Sequence, residues 1–315
     1  MLAVSSWPCV SGMHPRSTTC TFDWTPAGPR PDTLTRILST EDSIMPVISA
    51  ANLKGGVGKS SLVLHGAGAL ARLGKRVLIV DNDPQASATA GFLGAQAARQ
   101  LDPATTIAAI HAGDEPFPEL VIRPTGFDGI DLLPGSRYAA RFNVPEPHEA
   151  PYEDQVRLRD FLAGVRDRYD LVWIDNPPNL HLCTYSSLAA SDGYVVPVQA
   201  EDFGAQGLVD VNQSAALVRA AINPGLARVG YVLTMFAARR SIHQMYAQMM
   251  RENFGAEVFE AAMPESIDYV EALAGCKPVS HHKPRGAAAK AIQAIVEEML
   301  ARLARAGAKR AGEAA

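Results

Sequence analysis

The sequence predicts an α/β protein with a mostly parallel, twisted sheet that carries helices on both faces. Between residues 46 and 305, short apolar runs typical of buried strands alternate with segments of helical periodicity. A glycine-rich turn at residues 54–60 joins the first run to the first helix, and acidic residues close two later runs. Because the carboxyl ends of parallel strands meet at one edge of a sheet, these features predict a ligand site at that edge.

The glycine-rich turn reads Lys-Gly-Gly-Val-Gly-Lys-Ser and lies between the apolar run 47–51 and the helical segment 61–71. Its glycines let successive backbone N–H groups point inward, and a helix N-terminus adds partial positive charge. Such a cradle suits phosphate groups. Lys59 can reach the β- and γ-phosphates of a nucleotide, and the Ser60 hydroxyl can hold Mg²⁺.

This turn departs from the general phosphate-loop pattern, which opens with a glycine five residues before the Gly-Lys pair. Leu53 occupies that position, and a second lysine, Lys54, opens the loop instead. The loop therefore brings one more cation than the phosphates of a single nucleotide usually receive. A simple strand–helix turn with a solvated lysine is the alternative interpretation.

Two further segments place carboxylates at the ends of predicted strands. The run 76–80 leads into Asp81-Asn82-Asp83-Pro84-Gln85, where Asp83 could also serve only as the N-cap of an alanine-rich helix over 86–97. The run 169–174 leads into Asp175, at a position where an aspartate can support Mg²⁺ directly or through water. An apolar strand ending in aspartate is common, but following the loop and Asp83 in this order it becomes a strong signal.

These segments resemble the ParA/MinD family of deviant Walker A P-loop ATPases, and in particular its Soj-type ParA partitioning proteins. Residues 54–60 match the family pattern Lys-Gly-Gly-x-Gly-Lys-Ser/Thr, residues 81–85 match its switch I segment, and Pro177-Pro178 match its switch II turn. The resemblance covers roughly residues 46–305 and implies ATP and Mg²⁺ as cofactors. The implied nucleotide-binding residues are Lys54, Gly55, Gly56, Val57, Gly58, Lys59, Ser60 and Ser61.

The resemblance also implies a role for each catalytic residue. Lys54 would reach across an ATP-sandwich homodimer to the nucleotide of the other subunit, and Lys59 would neutralise charge on the phosphates. Asp83 would orient the attacking water in a slow, partner-stimulated hydrolysis of ATP to ADP and phosphate. Ser60 would ligate Mg²⁺, and Asp175 would support the ion through a water molecule.

The implied function is DNA segregation by a cytoplasmic, nucleoid-associated ATPase that binds DNA non-specifically and responds to a ParB-type centromere-binding partner. Arg239 matches an arginine that contacts DNA in the family, although a solvated loop arginine is an equal alternative. The formal net charge of −4 means that such contacts need a local basic patch. Glu265 and Asp268 stand where the family carries arginines, and two acids on that surface would repel phosphates.

Those two acids favour an alternative, a MinD-like or scaffold-bound positioning ATPase that acts on a membrane or a protein cargo. A third interpretation, a P-loop enzyme that phosphorylates or amidates a metabolite, is disfavoured by Lys54. For the final helix, expected over 287–304, core packing is the first expectation and a membrane-surface role the alternative. Its apolar face lacks aromatic residues and it carries Glu297 and Glu298, so we expect no stable membrane association.

The domain organisation follows from composition. Residues 1–44 are rich in Pro, Ser and Thr, lack a persistent pattern and are predicted to be a disordered extension or a mis-assigned start. Residues 45–306 form the predicted ATPase domain, and 307–315 a flexible tail. The four cysteines are scattered without zinc-site spacing, as is typical of a reduced cytoplasm.

Overall fold

The computed structural model of the protein describes residues 46–200 and 205–313, so the prediction for residues 1–44 lies outside it. Its strands are β1 (Val47–Ala50), β2 (Val77–Asp81), β3 (Arg123–Pro124), β4 (Ile130–Leu133), β5 (Leu171–Asp175), β6 (Gly193–Gln199) and β7 (Ala227–Thr234). They form one seven-stranded sheet in the order β3-β4-β2-β5-β1-β6-β7. All neighbours pair in parallel except β3, which runs antiparallel to β4 at the edge. The predicted α/β fold is confirmed.

Helices cover both faces of this sheet. They are α1 (Lys59–Arg72), α2 (Ser87–Leu93), α3 (Ala95–Arg99), α4 (Ile107–Ala112), α5 (Pro118–Val121), α6 (Tyr152–Ala163), α7 (Leu182–Ala190), α8 (Ala205–Ala221), α9 (Ser241–Phe254), α10 (Ile267–Ala274), α11 (Val279–His282) and α12 (Ala287–Glu313). Short 3-10 turns lie at Pro103–Thr105, Arg137–Arg141, Arg166–Arg168 and Gly255–Glu257.

The side-chain alternation of the strands divides the core between the two faces. Ile48 and Ala50 of β1 face α1, α2 and the C-terminal helices, whereas Val47 and Ala51 face α4, α6, α7, α8 and α9. The central strands are buried on both sides, which explains their nearly continuous apolar sequences.

Helix α1 lies directly against β5. Gly66 packs on the ring of Trp173 so closely that a Cβ atom at position 66 would come within 2.3 Å of it. Gly68 approaches Pro278 in the same way, at 2.2 Å. The helix that follows the glycine-rich loop is therefore fixed against the centre of the sheet by small residues.

Three helices differ from their predicted bounds. The segment 86–97 forms two helices rather than one, because Gly94 adopts a φ of 83° that no helix continues through. The spacing of Val156, Phe161, Leu162 and Val165 predicts a helix over 153–168, but α6 ends at Ala163, before a 3-10 turn. The final helix runs on to Glu313, so the residues predicted as a tail are helical to that point, and their flexibility stays a prediction.

The apolar face of α12 is packed in the core, as first expected. Ile292, Ile295, Val296 and Met299 are buried against α1 and the sheet. Glu298 accepts the backbone N–H groups of Glu260 and Ala261 at 3.1 and 3.0 Å. This face is thus occupied within the protein. None of the helices in the described part of the chain is long and apolar enough to cross a bilayer.

A buried histidine joins α1 to the C-terminal helices. His65 is fully buried, its Nδ1 accepts the backbone N–H of Val279 at 3.1 Å, and its ring stacks 5.0 Å from that of Tyr269. Burial lowers the pKa of His65 to about 3, so the folded protein keeps this ring neutral over most of the acidic range.

We expect His65 to make the free energy of unfolding fall as the pH is lowered. The unfolded chain binds a proton near pH 6.5 and the folded chain does not, which costs up to about 1.4 kcal/mol per pH unit. Burial raises the pKa of Asp81 and Asp175, and these acids act with the opposite sign. The measurement is therefore the stability of the wild type minus that of His65→Phe, by urea denaturation.

This difference should decrease from about pH 6.5 to about pH 4.5. His148→Gln, a substitution at an exposed position, serves as the control for the loss of a histidine. If the stability difference between the wild type and His65→Phe does not change with pH, the ring of His65 is not held neutral.

Candidate nucleotide-binding site

The glycine-rich loop lies at the carboxyl edge of the sheet, between β1 and the first turn of α1. Gly56 and Gly58 have φ values of 79° and 86°, a left-handed conformation that favours glycine. The loop is fastened from β7, because the Thr234 hydroxyl donates to the backbone carbonyl of Val57 at 2.8 Å. Ser60 and Ser61 fall in the first turn of α1, so their N–H groups belong to its positive end.

Asn52, which the sequence analysis missed, supports the base of this loop. Its side-chain amide donates to the carbonyl of Pro197 at 2.7 Å, and its Oδ1 accepts the backbone N–H of Lys54 at 3.0 Å. Lys59 Nζ donates to the carbonyls of Asn52 and Lys54 at 2.9 and 3.1 Å. The ammonium is therefore held inside the curve of the loop.

The two loop lysines differ in environment. Lys59 is buried, and desolvation lowers its pKa, against the opposing effect of the nearby carboxylates of Asp175 and Asp83. Lys54 and the neighbouring Gly55 are exposed. One lysine thus faces the acids of its own chain, and the other reaches the surface.

Asp81 and Asp175 lie side by side at the ends of adjacent strands, where they pair in register, and both are fully buried. Asp81 accepts from the backbone N–H and hydroxyl of Thr89, at 2.7 and 2.6 Å, and from the N–H of Asp83 at 3.3 Å. Burial raises the pKa of Asp81 to about 7 despite these hydrogen bonds. Its role in the described structure is to hold the start of α2 and the segment of Asp83.

Asp175 is different, because both of its carboxylate oxygens are buried and have no hydrogen-bond partner among the described residues. The same holds for Oδ1 of Asn176. Burial raises the pKa of Asp175 well above its usual value, and the charge of Asp81 adds to this. The nearby Ser60 hydroxyl, which is outside normal hydrogen-bond geometry, and the charge of Lys59 lower the pKa. A bound ion or water is one explanation for buried acceptors that lack a well-placed donor, and Mg²⁺ takes oxygen ligands, carboxylates among them.

The remaining donors for a metal would have to come from outside the protein. In residues 46–200 and 205–313, no group of three or more His, Cys, Asp or Glu is arranged to hold a metal ion. Mg²⁺ is usually bound through one or two protein oxygens together with substrate phosphates and water. Ser60 and Asp175 beside a phosphate loop fit that donor set.

Asp83 lies in the same site and does not act as a helix cap. Its Oδ1 accepts the backbone N–H of Gln85 at 2.9 Å, whereas α2 begins after Ala86 without a side-chain cap. The N-cap alternative is therefore wrong. Burial raises the pKa of Asp83, and the charge of Lys59 opposes the shift. The predicted residues Lys59, Asp83 and Asp175 thus interact with one another.

The surface beyond β7 carries the predicted DNA contact. Arg239 is exposed in the loop that follows β7, outside the phosphate site. Glu265 forms an ion pair with Arg240 at 3.1 Å, and Lys283 donates to Asp268 at 2.6 Å. The two acids that stand in place of family arginines are therefore paired with neighbouring cations.

Comparisons with known proteins show the family to which this chain belongs. A family model described as an AAA domain matches residues 45–228. The chain is 38% identical over 257 residues to the chromosome-partitioning ATPase Soj of Thermus thermophilus, covering 81% of this chain and 96% of that protein. It is 32% identical to the chromosome partitioning protein ParA of Caulobacter vibrioides, covering 81% and 94% of the two chains. The chain belongs to the ParA/MinD family of deviant Walker A P-loop ATPases.

Solved structures share the fold of this family member. The cobyrinic acid a,c-diamide synthase of Mycobacterium smegmatis, with a bound ATP analog and magnesium, superposes with a TM-score of 0.69 at 23% identity, over 81% of this chain and 93% of that one. The ATP complex of a McdA variant from Cyanothece gives 0.70 at 18% identity, over 83% and 97%. A plasmid partition protein of Borrelia burgdorferi bound to AMPPNP gives 0.66 at 22% identity, over 82% and 99%.

We expect Thr234→Val to weaken nucleotide binding while the protein stays folded. The change keeps the shape of the side chain but removes the donor to Val57, at the back of the phosphate loop. A lost neutral hydrogen bond costs about 1 kcal/mol, which corresponds to roughly fivefold in affinity. Titration with a fluorescent ATP analogue measures this. Thr105→Val, which removes a hydroxyl outside the site, is the control, and equal affinities for both variants would contradict the expectation.

Proposed function

We propose that this chain is a ParA-type DNA-segregation ATPase, which closes as a homodimer on Mg²⁺-ATP and responds to a ParB-type centromere-binding partner. The observation that supports it most is the buried carboxylate of Asp175, whose oxygens lack a hydrogen bond of normal geometry among the described residues and lie near Ser60 and Lys59. It stands beside a loop whose sequence is that of the deviant Walker A motif. The relatives named chromosome-partitioning ATPase Soj and ParA support the partition role.

Nucleotide binding would use the backbone N–H groups of the glycine-rich loop and the side chain of Lys59. The N–H groups of residues 55–61 line the start of α1 and would hold the phosphates. Lys59 donates to two loop carbonyls, and phosphate oxygens would take over these hydrogen bonds. Because Lys59 is already buried and positioned, little reorganisation is needed to bring its charge to the phosphates.

Ser60 and Asp175 would hold the metal, Ser60 directly and Asp175 through a water molecule. Mg²⁺ bound with ATP would supply charge neutralisation for transfer of the γ-phosphoryl group to water. Asp83 would place the attacking water, since its Oδ1 accepts from Gln85 and its second oxygen can accept from water. Positioning and electrostatics are most of what such a reaction requires of a protein.

The dimer and the DNA contact depend on exposed residues. Lys54 is exposed at the mouth of the loop, where it could reach a nucleotide in a second copy of the chain. Arg239 is the proposed contact to DNA phosphates. The ion pairs of Glu265 with Arg240 and of Asp268 with Lys283 reduce the repulsion expected from the sequence, but they also occupy both cations, and Lys283 pairs with Glu271 as well.

These ion pairs favour one second candidate, an ATPase that positions a protein cargo or scaffold instead of DNA. A surface whose basic residues are paired offers few phosphate contacts, and such contacts supply nearly all non-specific DNA affinity. The membrane form of this alternative loses its support, because the apolar face of α12 is buried in the core.

We expect Lys54→Ala to bind ATP but to fail to dimerise with it. The side chain is exposed in the single chain, so its removal should leave nucleotide affinity within about twofold. If Lys54 reaches the nucleotide of the other subunit, its removal would take from each nucleotide the cation that the partner contributes, while Lys59 remains. Size-exclusion chromatography with light scattering, with a non-hydrolysable ATP analogue, measures the mass. Lys290→Ala, an exposed lysine on α12, is the control. Dimerisation of Lys54→Ala as in the wild type would refute its role across the interface.

We expect Arg239→Ala to weaken, and Glu265→Gln to strengthen, retention of the ATP-loaded protein on non-specific DNA. The first change removes the proposed phosphate contact, and the second frees Arg240 from its ion pair with Glu265. Each phosphate contact changes the slope of log affinity against log salt by about 0.9. Retention is compared with ATP and with ADP at low salt. If the ATP-loaded wild type is not retained on DNA at low salt, the DNA-segregation proposal is wrong. The ATPase that positions a protein cargo or scaffold then remains, and capture of a protein cargo would test it.

A further inference from the structure

Asn82, between the two acids of the 81–85 segment, is fully buried and forms hydrogen bonds on three sides. Its backbone N–H donates to the carbonyl of Asp175 at 2.9 Å. Its side-chain Nδ2 donates to the carbonyl of Cys183 at 2.6 Å and to the Ser187 hydroxyl at 2.8 Å. Its Oδ1 lies 2.7 Å from Nε2 of His111.

These partners belong to different parts of the site. Cys183 and Ser187 are in α7, the helix that follows Asp175 and the Pro177-Pro178 turn. One side chain therefore joins the segment that carries Asp83 to the helix that follows the strand of Asp175. In addition, the backbone N–H of Asn82 donates to the carbonyl of Asp175.

His111, in α4, fixes the orientation of this amide. Because Nδ2 of Asn82 already has two acceptors, its Oδ1 must accept from a donor, so the proton of the neutral ring lies on Nε2 of His111. Burial, and secondarily the charge of Arg157, lowers the pKa of His111 to about 4. Arg157 Nη1 donates to the carbonyl of His111 at 2.9 Å, which holds the histidine from behind.

We propose that Asn82 and His111 form a positioning pair that keeps Asp83 and α7 in a fixed relation for hydrolysis. The inference rests on the water-placing role proposed for Asp83. Neither residue is placed against nucleotide, so neither is a catalytic residue. Asp83 is the next residue after Asn82, and a displacement of about 1 Å in a reacting group can cost up to about 100-fold in rate.

The pair can be tested with two substitutions of His111 that differ in one property. His111→Leu removes the donor and leaves Oδ1 of Asn82 buried without a partner, whereas His111→Gln keeps an N–H that can donate. His243→Leu is the matched control, because His243 is also buried but lies in α9, where its Nδ1 accepts the backbone N–H of Ala237.

In steady-state hydrolysis we expect His111→Leu to lower kcat by roughly tenfold with the Kd for ATP changed less than about twofold. His111→Gln should recover kcat to within about threefold of the wild type, and His243→Leu should leave it unchanged. The proposal would be overturned if kcat falls equally in His111→Leu and His111→Gln. It would also be overturned if His111→Leu weakens ATP binding and leaves kcat unchanged.

Amide hydrogen exchange without nucleotide gives a readout that does not depend on activity. His111→Leu should speed exchange in both 81–89 and 182–188, His111→Gln should restore both, and His243→Leu should change neither. If His111→Leu does not fold, Ser187→Ala removes one acceptor of Asn82 and should give the same pattern more weakly. Faster exchange in only one segment, or in neither, would show that the pair does not couple them.

Failure of the proposed function gives a different result. If Asp83→Asn hydrolyses ATP as fast as the wild type, the role of Asp83 is wrong, whatever the exchange of the two segments shows. If Asp83→Asn is inactive and the exchange pattern is absent, the positioning pair alone is wrong.

Discussion

The burial of Asp81 and Asp175 side by side, at the ends of neighbouring parallel strands, is the constraint on which this site depends. Two carboxylates can be held there only if hydrogen bonds, a cation or a shared proton compensates the lost hydration. The two carboxylates differ in how this lost hydration is compensated. Asp81 takes its donors from Thr89 and Asp83, whereas Asp175 has none among the described residues and faces the region of Lys59 and Ser60. The proposed metal ion would compensate the lost hydration of Asp175, as the hydrogen bonds do for Asp81.

The order of the strands explains why these groups meet. β5 lies between β1 and β2, so the phosphate loop after β1, Asp175 at the end of β5 and the acids after β2 share one edge of the sheet. The close contact of Gly66 with Trp173 sets the depth of α1 against β5. The packing of α1 on β5 therefore determines the geometry of the site, because a shift of α1 would move Lys59 and Ser60 relative to Asp175.

Local motifs made much of this predictable. The loop 54–60 is contiguous, and Asp83 and Asp175 follow apolar runs that could be recognised as strands. What could not be predicted depends on distant pairing: Thr234 reaches Val57 across 177 positions, and His111 meets Asn82 across 29. The break at Gly94 required a backbone angle that composition does not give, and β3 is too short for any periodic pattern.

The surroundings of Glu265 and Asp268 could not be predicted from the sequence either. Read from the sequence, the two acids reverse the charge of a DNA-contacting surface, but in the fold Glu265 pairs with Arg240, and Asp268 shares Lys283 with Glu271. Both cations are engaged by acids, so the affinity of this surface for phosphates depends on cations outside these pairs. The segment 236–240 continues directly from β7, which also holds the phosphate loop through Thr234, and Phe236 pairs with Met263 beside Glu265. The nucleotide loop and the diverged surface are therefore fastened to the same strand, so their chemistry differs but their positions are linked.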